Sequence, residues 1–323
     1  MIQYKINHID GLYFEITYAE KDVEYDVIFH DRKIKRDIYE TKMRIGTWSR
    51  LNRKYLSDIA VIIRHNGRTI KQINYLDELK GGRVLIVFES KALGDTLAWI
   101  PYCLEFAKIY DCEVIVSTFK NFLFESKYPE IKFVERNKIV QNINARFEIG
   151  YFWDEDKEPF NPITIPLQQA ICNILNLPFV EIKPEIDFQP KMREIAQKYV
   201  CISTFSTSGL KEWHYWQEVV DFLVGQGYKV LEISEKQSTL NNLTPLTDKS
   251  LENTMNTIYH SDFFIGLSSG LSWLSWTLGK QVFMIANFTK KDYEFQSGCI
   301  RIINEKICHG CWNNPMFRFN RGD

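Results

Sequence analysis

The amino-acid sequence predicts an α/β protein: two Rossmann-like units in tandem that face a cleft, preceded by a small antiparallel, barrel-like β module. Three observations carry this. Residues 1–80 hold short stretches with the period-2 alternation of half-buried strands, among them Tyr13-Phe14-Glu15-Ile16-Thr17-Tyr18 and Val23-Glu24-Tyr25-Asp26-Val27-Ile28-Phe29. From Gly81 onward continuous apolar runs alternate with helical stretches, the pattern of βαβ units and a parallel sheet. The same logic then recurs beyond a connector marked by Pro178 and Pro184, with no shorter repeat period. The expected boundaries are 1–80 for the β module, 81–190 and 191–292 for the two units, and 293–323 for a C-terminal arm.

In the β module, polar turns are expected at His30-Asp31 and Asn66-Gly67. Residues 32–54 are rich in Lys and Arg. They read as a solvated face, with an acidic acceptor or partner surface as the alternative. In the first unit, Val84-Leu85-Ile86-Val87-Phe88 and Val114-Ile115-Val116-Ser117 are strands flanking a helix over 96–110. An acid- and proline-rich linker at 154–166 leads to a helix over 167–177. In the second unit, Tyr199-Val200-Cys201-Ile202-Ser203 is a strand and 213–224 a helix ending at Gly225 and Gly227. Strands at 229–233, 263–265 and 281–285 follow, with a helix over 271–278 before the last.

Composition excludes several classes. The 323 residues suffice for two or three domains, and 45% hydrophobic with 25% charged residues is ordinary for a globular chain. A formal net charge of −1 lacks the basic bias of nucleic-acid binders, so no nucleic-acid partner is expected. No apolar run approaches the roughly 20 residues of a membrane-spanning helix. Met1-Ile2-Gln3-Tyr4-Lys5 lacks the apolar core of a secretory signal, so a cytoplasmic protein is expected. Five of the seven cysteines, Cys103, Cys112, Cys172, Cys201 and Cys299, sit in apolar segments as reduced thiols. The odd number argues against a disulfide framework.

Four features carry candidate chemistry. Gly94-Asp95-Thr96 follows the strand at 84–88 and has neither Walker A nor dinucleotide-fingerprint spacing. Asp95 is either a helix cap or a general base for a hydroxyl nucleophile. Ile265-Gly266-Leu267-Ser268-Ser269-Gly270-Leu271-Ser272 runs from a strand through a Gly/Ser loop into a helix, where backbone N–H groups suit an anion such as a diphosphate. An ordinary turn capping a buried helix is the alternative. Lys211, near a helix start, is poorly placed for the helix dipole and better explained by a facing anion, or else is simply exposed. Cys308-His309-Gly310-Cys311 is half of a tetrahedral thiolate site, with His309 awkwardly spaced as a third ligand.

Together these residues resemble the bacterial autotransporter heptosyltransferases, relatives of the lipopolysaccharide heptosyltransferases. The likeness lies in Ala92-Leu93-Gly94-Asp95-Thr96-Leu97-Ala98, Pro166-Leu167-Gln168, Ile174-Leu175-Asn176-Leu177, Glu181-Ile182-Lys183-Pro184, Lys211-Glu212-Trp213, the 265–273 loop, Tyr293-Glu294-Phe295 and Ile307-Cys308-His309-Gly310-Cys311-Trp312. The resemblance implies a GT-B glycosyltransferase, its first unit on the acceptor side and its second on the donor side. It would transfer heptose from ADP-glycero-manno-heptose to serine hydroxyls of an autotransporter adhesin passenger by a single inverting displacement. A lipopolysaccharide-type or other sugar transferase, or a non-catalytic nucleotide-sugar-binding module, is the alternative. By the same resemblance Asp95 is the catalytic base, and Gly94, Thr207, Lys211, Ser268, Ser269, Gly270, Leu271 and Ser272 meet the donor. No cofactor is required for transfer. A homo-oligomer is implied, as is an iron-binding finger of four cysteines. Only Cys308 and Cys311 match that finger, and Arg321-Gly322-Asp323 interrupts the pattern. A structural iron or zinc would need ligands from outside this chain.

Overall fold

The computed structural model describes residues 1–206, 208–234, 236 and 239–314. Its N-terminal strands are β1 (Ile2–His8), β2 (Leu12–Ala19), β3 (Tyr25–Asp31), β4 (Arg36–Met43), β5 (Trp48–Leu51), β6 (Ile59–His65) and β7 (Arg68–Asn74). The first unit comprises β8 (Arg83–Phe88), α1 (Leu93–Tyr110), β9 (Glu113–Ser117), β10 (Lys132–Phe133), β11 (Ala145–Ile149) and α2 (Leu167–Ile174). The second comprises β12 (Tyr199–Ser203), α3 (Trp216–Gly225), β13 (Lys229–Glu232), β14 (Thr244–Pro245), α4 (Leu251–His260), β15 (Phe264–Leu267), α5 (Gly270–Thr277), β16 (Val282–Ile285) and β17 (Cys299–Ile302).

Among the described residues the strands form three sheets. The second unit is a six-stranded, all-parallel sheet in the order β14-β13-β12-β15-β16-β17. The first unit's parallel strands lie in a seven-stranded sheet, β10-β9-β8-β11-β1-β2-β5. The N-terminal strands therefore do not gather into one barrel-like module. β3, β4, β6 and β7 form an antiparallel sheet of their own, whereas β1, β2 and β5 extend the first unit, with His8 of β1 registered parallel to Ala145 of β11. Alternation along β2 puts Leu12, Phe14 and Ile16 into the same apolar core as Val84, Ile86 and Phe88. His8 seals that junction: its ring packs 5.0 Å from Phe147, and burial pushes its pKa down to about 4.

Local chemistry explains the smaller departures. Asn66 and Gly67 both take positive φ, as a tight hairpin turn requires. His30 and Asp31 instead close β3, and the turn follows them, with Asp31 Oδ1 accepting from the N–H groups of Lys33 and Ile34. The 154–166 segment is pinned rather than free, because buried Glu158 accepts from the N–H groups of Lys54 and Tyr55. The basic stretch meets acids of its own chain: Arg32 pairs with Asp58, Lys42 with Glu24, Arg50 with Asp10 and Arg53 with Asp31. Among the described residues, no helix is long and apolar enough to cross a membrane.

Candidate active site

The loop after β8 delivers Asp95 into the first turn of α1. Ala92 holds the N-cap position and offers no side-chain cap bond, so Asp95 does not cap the helix. Its carboxylate instead accepts from Ser90 Oγ at 2.5 Å and from Tyr151 Oη at 2.9 Å. Burial raises the Asp95 pKa above its ordinary value and outweighs these two bonds and the nearby Lys211 charge, which pull it down.

The second half comes from α5, whose N-cap is Ser269. Helices α1 and α5 meet at their N-terminal turns, glycine against glycine. A Cβ on Gly94 would lie 3.0 Å from Trp273 Cδ1 and 3.3 Å from Gly270 Cα; one on Gly270 would lie 3.2 Å from Gly94 N. A Cβ at either position would sit tighter than ordinary van der Waals contact, so the paired glycines let the two backbones approach without displacing their neighbours. Gly94→Val is therefore expected to destabilise the fold by about 1–3 kcal/mol through overpacking. Chemical denaturation measures this, with Gly209→Ala, where a Cβ meets nothing within 4 Å, as the control.

Lys211 approaches this junction from a 3-10 turn at Gly209–Lys211 and donates from Nζ to the Ser268 carbonyl at 2.6 Å. Burial lowers its pKa, while the charges of Glu294 and Asp95 raise it. Asp95 and Lys211 thus share one electrostatic site, although they come from different units. The Gly/Ser loop is less uniform than its sequence suggests. Ser268 Oγ donates to buried Glu294, and Ser272 Oγ, fully buried, donates to the Leu267 carbonyl at 2.6 Å. Leu271 packs against the core. Ser269 differs, since its hydroxyl is buried with no partner among the described residues. Thr207 lies outside the described residues.

Several residues of the site carried no role in the sequence. The hydroxyls of Ser206 and Ser234, like that of Ser269, are buried with no hydrogen-bond partner among the described residues. The three follow β12, β13 and β15, which are neighbours in the sheet. Ligands of open parallel sheets bind at this carboxyl edge. Buried Glu294 pairs with Arg301 and accepts from Thr289 Oγ1 at 3.0 Å behind the loop. Tyr293, together with Pro166, Gln168, Phe179, Glu181 and Asp292, lines a cavity of about 410 Å³. Tyr293, Glu294 and Trp312 lie in the stretches that carry the family resemblance, whereas no local pattern marks Tyr151.

The C-terminal segment packs onto the site. Gly310 N–H donates to the Asn287 carbonyl at 2.7 Å and Trp312 N–H to the Phe288 carbonyl at 2.9 Å. The Cys308 and Cys311 thiols interact, and burial with the Cys308 neighbour raises the Cys311 pKa. The His309 ring sits 3.3 Å from the Ile307 carbonyl. Among the described residues no group of three or more metal-binding side chains gathers, so these thiols supply two of the four ligands a tetrahedral site needs. Arg321-Gly322-Asp323 lies outside the described residues. One Asp-x-Asp triplet, the form of a divalent-metal site in some glycosyltransferases, is present at Asp154-Glu155-Asp156. Asp154 is spent on an exposed pair with Lys157 at 2.5 Å.

No family model matches the chain. The autotransporter heptosyltransferase Aah of Escherichia coli is 30% identical over 97% of this chain and 85% of its own length. The inactive autotransporter heptosyltransferase BimC of Burkholderia thailandensis is 25% identical over 94% of this chain and 75% of its own. Among solved structures, the dodecameric, iron-containing heptosyltransferase TibC of enterotoxigenic E. coli, also solved in complex with ADP-D-β-D-heptose, superposes with a TM-score of 0.83. That match has 26% identity and covers 99% of this chain and 87% of TibC.

Proposed function

The chain belongs to the autotransporter heptosyltransferase family, and on that premise we propose that it moves heptose from ADP-glycero-manno-heptose to serine hydroxyls of an autotransporter adhesin. The observation that carries this reading is the Gly94–Gly270 contact, where Asp95 of the first unit and Lys211 of the second come into one electrostatic site. The two sheets are the halves of a GT-B arrangement, the first unit on the acceptor side and the second on the donor side.

In this reading the acceptor serine approaches Asp95, which removes its proton as the oxygen attacks the anomeric carbon. The bond from that carbon to the diphosphate breaks in the same displacement, with inversion, and the electron pair leaves with ADP. Lys211 and the N–H groups at the start of α5, around Ser269 and Gly270, neutralise the departing diphosphate. Ser206, Ser234 and Ser269 supply hydroxyls for the rest of the nucleotide sugar. No step requires a metal, and an iron or zinc at Cys308 and Cys311 would be structural. The reaction belongs in the bacterial cytoplasm, before export of the adhesin, in a homo-oligomer as TibC is.

Intact-mass analysis of an adhesin passenger incubated with the protein and ADP-heptose tests the proposal: additions of one heptose each are expected. Donor binding without any addition would group the chain with its inactive relative instead. Lys211→Gln is expected to weaken donor binding about 10- to 100-fold, the scale of one lost hydrogen bond to a charged group. Calorimetric titration with ADP-heptose checks this.

A further inference from the structure

Asp95 is the end of a chain of hydrogen bonds that begins near the other terminus. Trp312 Nε1 donates to Tyr293 Oη at 2.8 Å, Tyr293 Oη reaches Tyr151 Oη at 3.5 Å, and Tyr151 Oη donates to Asp95 Oδ1 at 2.9 Å. The direction of the chain is fixed by its ends. An indole N–H only donates and an ionised carboxylate only accepts, so each phenol receives from the Trp312 side and passes its own hydrogen toward Asp95. Trp312 also stacks edge-on against Tyr151, with ring centroids 5.5 Å apart.

We propose that Trp312, Tyr293 and Tyr151 are positioning residues for Asp95, fixing its carboxylate toward the acceptor and favouring its ionised form. This rests on Asp95 being the base. Burial raises both phenols, so they stay neutral donors at working pH. The other groups facing the carboxylate are Ser90 on its own loop and Lys211 from the second unit, with Glu294 in turn facing Lys211. A bond from a neutral phenol lowers the pKa of its acceptor carboxylate, and polarised chains strengthen such bonds.

The experiment compares pH profiles of kcat/KM for the full chain and for Tyr151→Phe, Tyr293→Phe, Trp312→Phe and Asp95→Asn, with ADP-heptose and an adhesin passenger. Tyr151→Phe is expected to move the acid limb up by about one pH unit, lowering kcat more than it raises donor KM. Trp312→Phe, which keeps the ring stack and loses the N–H, is expected to move it the same way by less. Should Trp312→Phe melt early, Tyr293→Phe carries the same test. An acid limb unmoved in Tyr151→Phe, with Asp95→Asn inactive, overturns the relay alone. Full turnover by Asp95→Asn overturns the base on which it rests.

Discussion

Asp95→Asn is expected to lower heptose transfer about 10²- to 10⁴-fold, the usual contribution of a positioned general base, while ADP-heptose binding stays near that of the unaltered chain. Two further signatures separate this loss from misfolding. The first is stability. Burial lifts the Asp95 carboxyl above its ordinary value, so between the unfolded and folded pKa the folded chain holds a proton that the unfolded chain has released. Stability therefore falls as pH rises through that window, and above it the ionised carboxylate is a standing cost. Asn removes the cost and can still accept from Ser90 or Tyr151, so Tm at neutral pH is expected to hold or rise. The second is the pH profile of the unaltered chain. Transfer needs Asp95 ionised, with its pKa raised, and Lys211 charged, with its pKa lowered by burial. Both limbs should then lie inside the range set by a free carboxyl and a free lysine. Donor titration, thermal melts and a transfer assay across pH measure all three.

The same carboxylate marks the limit of what the chain's pattern reveals. Asp95 is recognisable because a strand, a short loop and a helix put it at a sheet's carboxyl edge, and those elements follow from the apolar run at 84–88 and the helical stretch behind it. Whether it caps the helix or faces a ligand is a different question. Ala92 takes the N-cap, and the partners that turn Asp95 outward include Tyr151, 56 residues away. No periodicity encodes that distance. Likewise the Gly/Ser loop is legible as a loop, but the fate of each hydroxyl is set elsewhere. Ser268 is claimed by Glu294 and Ser272 by the Leu267 carbonyl that ends β15, and the Ser269 hydroxyl has no partner among the described residues. The N-terminal strands show their alternation plainly yet not their partners, because β1 pairs across 137 residues with β11 through the single register His8 to Ala145. α4 is hard to read from its sequence because Asn and Thr, weak helix formers, fill four of its ten positions, and it is secured by Ser250, whose side chain accepts from Asn253 N–H at 3.3 Å.

Arg301→Met is expected to lower stability by about 3–5 kcal/mol, the scale of breaking a buried ion pair by removing one partner. The Glu294 side chain is 2% exposed and that of Arg301 10%, so the pair lies largely out of solvent. With Arg301 gone, Glu294 keeps, among the described residues, the hydroxyls of Ser268 and Thr289 as donors, and its charge stays buried. Glu294→Gln in the same chain removes that stranded charge and still accepts from both hydroxyls. The double variant should therefore be more stable than Arg301→Met alone, and a double-mutant cycle in urea measures the coupling. Strictly additive losses would mean that the pair does not act as a unit. The effect reaches the donor site through two atoms of one residue. Ser268 gives its hydroxyl to Glu294 and its carbonyl to Lys211, so the ion pair behind the loop sets where the Lys211 ammonium is held. Arg301→Met chains that remain folded should consequently bind ADP-heptose more weakly, although Arg301 itself has no part in neutralising the diphosphate.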